Sequence, residues 1–268
     1  MIWLCVLAMG TASLVFGSGN TSVWTSQSAL ENLQNGNERF VSGKPKVWDS
    51  GAAAREKLST GQSPYACVIT CSDSRVPPEE IFDTGLGELF VIRVAGNVTP
   101  ADVVASADYA VGHLNCPVVV VMGHTRCGAV GAALSESEFA EPLNSLITQI
   151  KPHAEACQAK GYAPEEIFAG VVKENARAGA VHLLAGSRAI EQAVMDGKCV
   201  VLSAVYDIET GVVDWQSQLG KADVKSSKEL ISTKQLQKPI SSTNRDGHDS
   251  EADKTQTARS TASSKARH

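Results

Sequence analysis

Short apolar runs at residues 66–70 (Ala-Cys-Val-Ile-Thr), 89–94 (Leu-Phe-Val-Ile-Arg-Val), 117–122 (Pro-Val-Val-Val-Val-Met), 167–172 and 199–205 constrain this chain more than any other feature. Their length and β-branched content predict strands of a sheet covered on both faces. Between them lie helix-compatible segments at 101–114, at about 142–159, and at 173–196 with an interruption near Gly186. Strands alternating with helices predict an α/β fold with a mainly parallel central sheet flanked by helices. Upstream, residues 26–42 place Leu30, Leu33 and Phe40 at helical spacing behind a serine, which predicts an N-terminal amphipathic helical arm.

A chain of 268 residues with 43% hydrophobic residues buries one substantial core. Its net charge of -5 offers no basic stripe for a phosphate backbone, so nucleic acid is not an expected partner. Residues 221–268 hold ten Lys or Arg against six Asp or Glu, and after Ile240 they contain no large apolar residue. That composition predicts a polar, disordered tail over 221–268 behind a folded domain at 20–220. Residues 1–19 resemble a secretory signal peptide, with an apolar run (Ile2, Trp3, Leu4, Val6, Leu7, Leu14, Val15, Phe16) that is too short and interrupted to span a bilayer. No Lys or Arg precedes that run. If the signal is real, the protein is secreted or periplasmic; otherwise it is cytoplasmic. Among the cysteines outside this segment, Cys67 and Cys199 fall in expected strands, and no disulfide framework is indicated.

Two polar clusters follow expected strands directly: Cys71-Ser-Asp73-Ser-Arg75, and His124-Thr-Arg126-Cys127-Gly128. In an open α/β sheet, functional groups collect beyond the carboxyl ends of strands, so the clusters can converge. Cys and His suit zinc, and three protein ligands leave a fourth position for water. Spacing alone leaves metal binding and simple packing equally open, since His-x-x-Cys arises by chance. Asp73 and Arg75 favour the metal. Two thiolates and an imidazole make zinc a weaker Lewis acid than three neutral imidazoles do, and an Asp kept ionised by an Arg would orient its water. A surface or turn ion pair is the alternative for that dyad.

Cys-Ser-Asp-Ser-Arg-Val at 71–76 and Gly-His-Thr-Arg-Cys-Gly at 123–128 resemble the paired signatures of beta-class carbonic anhydrases, and of their plant-like subgroup. The strings at 87–97 and 106–111 are similar to that family too, and the likeness covers roughly residues 26–218. The resemblance implies one Zn2+ per subunit on Cys71, His124 and Cys127, with Asp73 and Arg75 as a catalytic dyad that gates the metal. It implies a substrate pocket of Gln62, Phe90, Ala95, Tyr109 and the backbone at Gly128. Val68 stands where the bicarbonate-inhibited subgroup has tryptophan, so no such inhibitory site is expected although Arg93 matches it. Ala95 replaces the usual valine. The helix at 26–42 matches an arm that embraces a partner subunit in family dimers, whose sites lie at the interface, so a dimer or a multiple of dimers is implied.

The implied reaction is the reversible hydration of carbon dioxide to bicarbonate and a proton by zinc-hydroxide attack, with carbon dioxide and bicarbonate as small-molecule partners. Two other readings stand beside it: a hydrolase of carbon disulfide or carbonyl sulfide on the same scaffold, and a noncatalytic zinc-binding relative. His113 and His153 are weak candidates for a proton shuttle.

Overall fold

The computed structural model describes residues 24–232. The elements run α1 (Ser26–Val41), α2 (Ala52–Leu58), β1 (Ala66–Thr70), α3 (Pro78–Ile81) and β2 (Leu89–Arg93), then a 3-10 turn at Ala95–Asn97. They continue with α4 (Ala101–Gly112), β3 (Val118–His124), α5 (Gly128–Leu134), α6 (Leu143–Ala159) and α7 (Pro164–Gly186). The last are α8 (Arg188–Met195), β4 (Val200–Tyr206), β5 (Val213–Leu219) and α9 (Lys221–Ser232). The sheet is ordered β2-β1-β3-β4-β5. Strands β1 to β4 are mutually parallel, and β5 pairs antiparallel with β4.

Alternation along each strand divides the core in two. Cys67, Ile69, Val119, Val121 and Val201 face a layer that includes Val104 and Ala107 of α4, Ala180 and Leu183 of α7 and Ile190 of α8. Ala66, Val68, Val118, Val120, Met122 and Leu202 face Ala29 and Leu33 of α1 and Ile81 of α3. Every residue of β1 and β3 is therefore buried, as strands covered on both faces must be. Cys67, Cys116, Cys157 and Cys199 are free thiols buried in this interior.

The expected arm is docked on the chain's own sheet. Thr25, rather than Ser26, caps α1, exchanging hydrogen bonds with Ser28 in a capping box. Asn37 then donates to the carbonyls of Ile81 at 3.2 Å and Gly211 at 2.8 Å, and accepts from the Val213 N–H at 3.0 Å. Gly36 permits the approach, since a Cβ there would lie 1.9 Å from the Phe82 carbonyl oxygen.

Three expectations change. Residues 167–172 are not a strand but part of α7. Ile167, Phe168, Val171 and Val172 fall at i, i+1, i+4 and i+5, so the run that looks continuous is one face of a helix, packed toward Cys127 and α6. The antiparallel edge strand β5 was not expected, because its sequence Val-Asp-Trp-Gln-Ser-Gln-Leu is largely polar. The tail does not lose structure at 221: α9 runs to Ser232, burying Ser227 and Val224 and bonding Lys228 Nζ to Glu191 at 2.7 Å. The rest of the expected disordered tail, and the whole expected signal segment at 1–19, lie outside the described residues. No helix among the described residues is long and apolar enough to cross a membrane.

Candidate active site

The carboxyl ends of β1 and β3 are neighbours, with Thr70 level with Met122. The next residue on β1's side is Cys71, and β3 ends on His124. A tight turn then brings Cys127 back: Arg126 adopts a left-handed φ of 58°. The turn is anchored to β4 and the loop after it. The Thr125 N–H donates to the Tyr206 carbonyl at 2.9 Å, and the Ile208 N–H donates to Thr125 Oγ1 at 3.0 Å. As a result the ligand-type atoms of Cys71, His124 and Cys127 all lie within 4.8 Å of one another, in a buried cluster.

The imidazole is oriented by its own turn. His124 Nδ1 lies 2.9 Å from the Thr125 carbonyl oxygen, which can only accept, so Nδ1 carries the proton. Nε2 is left with a lone pair, buried and without a hydrogen-bond partner. Each of the two thiols shifts the acidity of the other. The hydrogen bond with Cys127 pulls Cys71 down to about 4, aided by the Gly96 N–H at 3.3 Å from its sulfur. The same bond, together with burial, pushes Cys127 up. Two adjacent buried thiols cannot both ionise cheaply unless a cation sits between them. An unpaired imidazole nitrogen and two such sulfurs form the donor set of a Cys2His zinc site.

Asp73 stands at the rim. Arg75 grips it through Nε to Oδ1 at 2.9 Å and Nη2 to Oδ2 at 2.7 Å, and the Arg75 N–H adds a third bond at 3.0 Å. These bonds, the side-chain ones foremost, hold the Asp73 carboxyl well below the usual carboxylate range. Its Oδ2 lies 3.9 Å from His124 Nε2. Arg93, expected only as a remnant of an inhibitory site, braces the loop instead: Nε donates to the Cys71 carbonyl at 3.0 Å and Nη2 to the Asp73 carbonyl at 2.5 Å. Gly96, which sequence reasoning passed over, supplies the N–H on Cys71. Its only signal in the sequence is its place in the Ala-Gly-Asn string after β2.

The pocket residues divide. Gly128 opens α5 beside Cys127, with nothing within 4 Å of where a Cβ would stand, and Ala95 begins the turn that carries Gly96. Phe90, Tyr109 and Gln62 are elsewhere. Phe90 is level with Cys67; at ~3.3 Å per residue it is displaced about 13 Å along the strand direction from Cys71. Its ring lies 6.2 Å from that of Tyr109, which stacks on His113 at 5.2 Å and is 42% exposed. Gln62 is exposed in the segment entering β1, at the opposite end of that strand from Cys71.

An α/β sheet bearing a Cys-His-Cys cluster and a carboxylate-guanidinium pair at its carboxyl edge defines a metal-dependent enzyme class. Comparison with known proteins agrees. The carbonic anhydrase family model matches residues 66–213. Carbonic anhydrase 2 of Mycobacterium tuberculosis (strain ATCC 25618 / H37Rv) is 34% identical over 196 residues, which is 72% of this chain and 93% of the relative. A carbonic anhydrase of Mycolicibacterium smegmatis is 36% identical over 197 residues, covering 72% and 94%. Among solved structures, a beta-carbonic anhydrase of the filamentous ascomycete Sordaria macrospora, described as tetrameric, superimposes with a TM-score of 0.56 at 29% identity, covering 62% of this chain and 87% of that one. The chain belongs to the beta-class carbonic anhydrase family.

Proposed function

We infer that this protein is a carbonic anhydrase, a lyase that reversibly hydrates carbon dioxide to bicarbonate and a proton. The observation that carries the reading is the buried meeting of Cys71, His124 and Cys127 beside a carboxylate locked by Arg75. Those three residues would hold one zinc ion per subunit. When bound, zinc supplies the Lewis acidity that makes water a nucleophile near neutral pH.

The remaining work falls to the chain. Asp73 is too weak a base to take a proton at neutral pH, since Arg75 keeps it ionised; it accepts a hydrogen bond and so orients the attacking water. Arg93 keeps the Cys71 and Asp73 carbonyls facing the same side chain, which fixes the distance between ligand and orienter. The left-handed turns at Arg126 and Gly96 let the chain double back at the cluster, returning Cys127 to it and placing the Gly96 N–H on the Cys71 sulfur.

Gln62, Phe90 and Tyr109 act on the site of a second copy. They are too far down the sheet to serve their own Cys71, and β2, which carries Phe90, is an edge strand in the single chain. The tetrameric relative supports assembly as a dimer or a multiple of it. The catalytic domain expected at 20–220 is extended by α9 to Ser232. Export to the periplasm or outside the cell rests on residues 1–19 alone; amino-terminal sequencing of the protein isolated from its cell fractions tests it.

Stopped-flow hydration of carbon dioxide with a pH indicator tests the activity, comparing the parent with Asp73→Ala and Cys71→Ser. Turnover in the parent that collapses in both variants supports the reading. A zinc-loaded parent inactive at every pH sinks it and directs assays to carbonyl sulfide and carbon disulfide.

A further inference from the structure

Gly96 is gripped on both sides of its α-carbon. Its N–H donates to the Cys71 sulfur at 3.3 Å, and its carbonyl accepts from Asn175 Nδ2 at 2.8 Å. The two bonds hold successive peptide planes, so together they fix the torsions of the residue between them. Those torsions, φ 67° and ψ 17°, are left-handed. Glycine reaches them without penalty but leaves them as easily, because it lacks the Cβ that would restrict it. Packing limits one direction of escape: a Cβ on Gly96 would lie 2.6 Å from Ile150 Cδ1 and 2.9 Å from Ala129 Cβ. The turn is closed by the Asn97 N–H donating to the Val94 carbonyl at 2.9 Å. Asn175 comes from α7, in the helical layer that covers the sheet, and is only 4% exposed. It belongs to neither polar cluster read from the sequence.

We propose that Asn175 is a positioning residue for the metal centre: by clamping the Gly96 carbonyl it keeps the Gly96 N–H aimed at Cys71, and so sets how strongly that sulfur donates to a metal. This rests on the Cys71–His124–Cys127 zinc reading. An amide N–H bonded to a thiolate draws electron density from the sulfur, and outer hydrogen bonds of this kind hold a ligand in place while tuning the metal it binds. In a site with two thiolate ligands, that withdrawal keeps the metal the stronger acid. Without Asn175 the Gly96 carbonyl is left unsatisfied in a buried layer, and the peptide turns to find another donor. Gly96 then loses the torsions fixed from that side, and the preceding peptide, which carries the N–H, is free to swing off the sulfur.

The test uses the full chain carrying Asn175→Leu or Asn175→Ser, read by zinc affinity in competition with a chromophoric chelator, by the sulfur-to-cobalt charge-transfer band of the cobalt-substituted protein, and by melting temperature. Zinc affinity is expected to fall roughly 10- to 100-fold, because Cys71 is no longer held in place and that loss outweighs the stronger donation of an unbonded thiolate. The band is expected at longer wavelength, because an unbonded thiolate gives up electron density more readily. Asn175→Ser decides the matter if Asn175→Leu does not fold. Affinity within twofold of the parent and an unmoved band, even with a lowered melting temperature, overturn the proposal by making Asn175 a packing residue only. A parent that binds neither zinc nor cobalt overturns the metal-centre reading itself, whereas a parent that binds and variants that bind equally remove Asn175 alone.

Discussion

Arg75 and Asp73 meet fork to fork, with two parallel side-chain bonds of 2.9 and 2.7 Å, while the same carboxylate stops 3.9 Å short of His124 Nε2. The guanidinium thus holds the carboxylate away from the nitrogen that the metal needs. Arg75→Ala releases it. The Asp73 carboxyl then regains an ordinary acidity and is free to turn inward and compete with water for the metal. Activity at neutral pH is expected to fall roughly 100-fold with zinc content unchanged, measured by stopped-flow hydration beside metal analysis. The sign of the pH effect follows from a depressed folded-state value: the pair's contribution to stability is complete above the unfolded carboxyl's pKa of about 3.9 and is lost as pH falls through the lower folded one. Arg75→Ala removes that contribution, so its melting temperature is expected to approach the parent's on acidification.

Metal uptake has a proton signature. Near neutral pH the Cys71 thiol, held at about 4, is already ionised, while Cys127 is pushed up and retains its proton. Adding zinc to metal-free protein at pH 6, below the range in which a zinc-bound water of pKa about 7 ionises, is therefore expected to release about one proton per site, because thiol ligands bind as thiolates. Titration calorimetry in buffers of different ionisation enthalpy counts it. Release of two protons would mean that the pair does not share charge as described. Prolonged chelation is expected to abolish turnover, and zinc to restore it.

How much of this was legible beforehand depended on how local each signal was. Cys71 and His124 could be placed because one directly follows a buried strand and the other ends one, and strand ends on a parallel sheet converge. Gly96 acts through its own N–H on the Cys71 sulfur, Arg93 through the carbonyls of Cys71 and Asp73, and Asn175 reaches in from a helix 79 residues further along the chain than the glycine it holds. No spacing rule links such partners. The 167–172 run misled because six apolar-rich residues satisfy a strand and a helix face alike, and only the longer window from Pro164 to Gly186 decides. Strand β5 and helix α9 are polar enough to pass for surface, since each is covered on one side only.

Gly36 tests whether α1 belongs to the folded core. A Cβ there would press to 1.9 Å from a backbone oxygen, that of Phe82, which cannot rotate away as a side chain would. Gly36→Ala is expected to cost about 3 kcal/mol, read as a lowered midpoint in urea. An unchanged midpoint would show that α1 sits off the sheet in solution.

Assembly is testable by complementation between two inactive variants. Asp73→Ala spoils the cluster in its own subunit, whereas Phe90→Ala spoils a residue that stands about 13 Å along the strand from that cluster by the ~3.3 Å rise per residue. If Phe90 serves the partner's site, a mixed dimer holds one site with both defects and one with neither. Co-refolding equal amounts is then expected to restore about a quarter of parental activity, since half of the dimers are mixed and half of their sites are intact. If Phe90 serves its own subunit, every site in the mixture carries one defect. Activity would then stay at the level of the separate variants, and the edge at β2 would need another explanation.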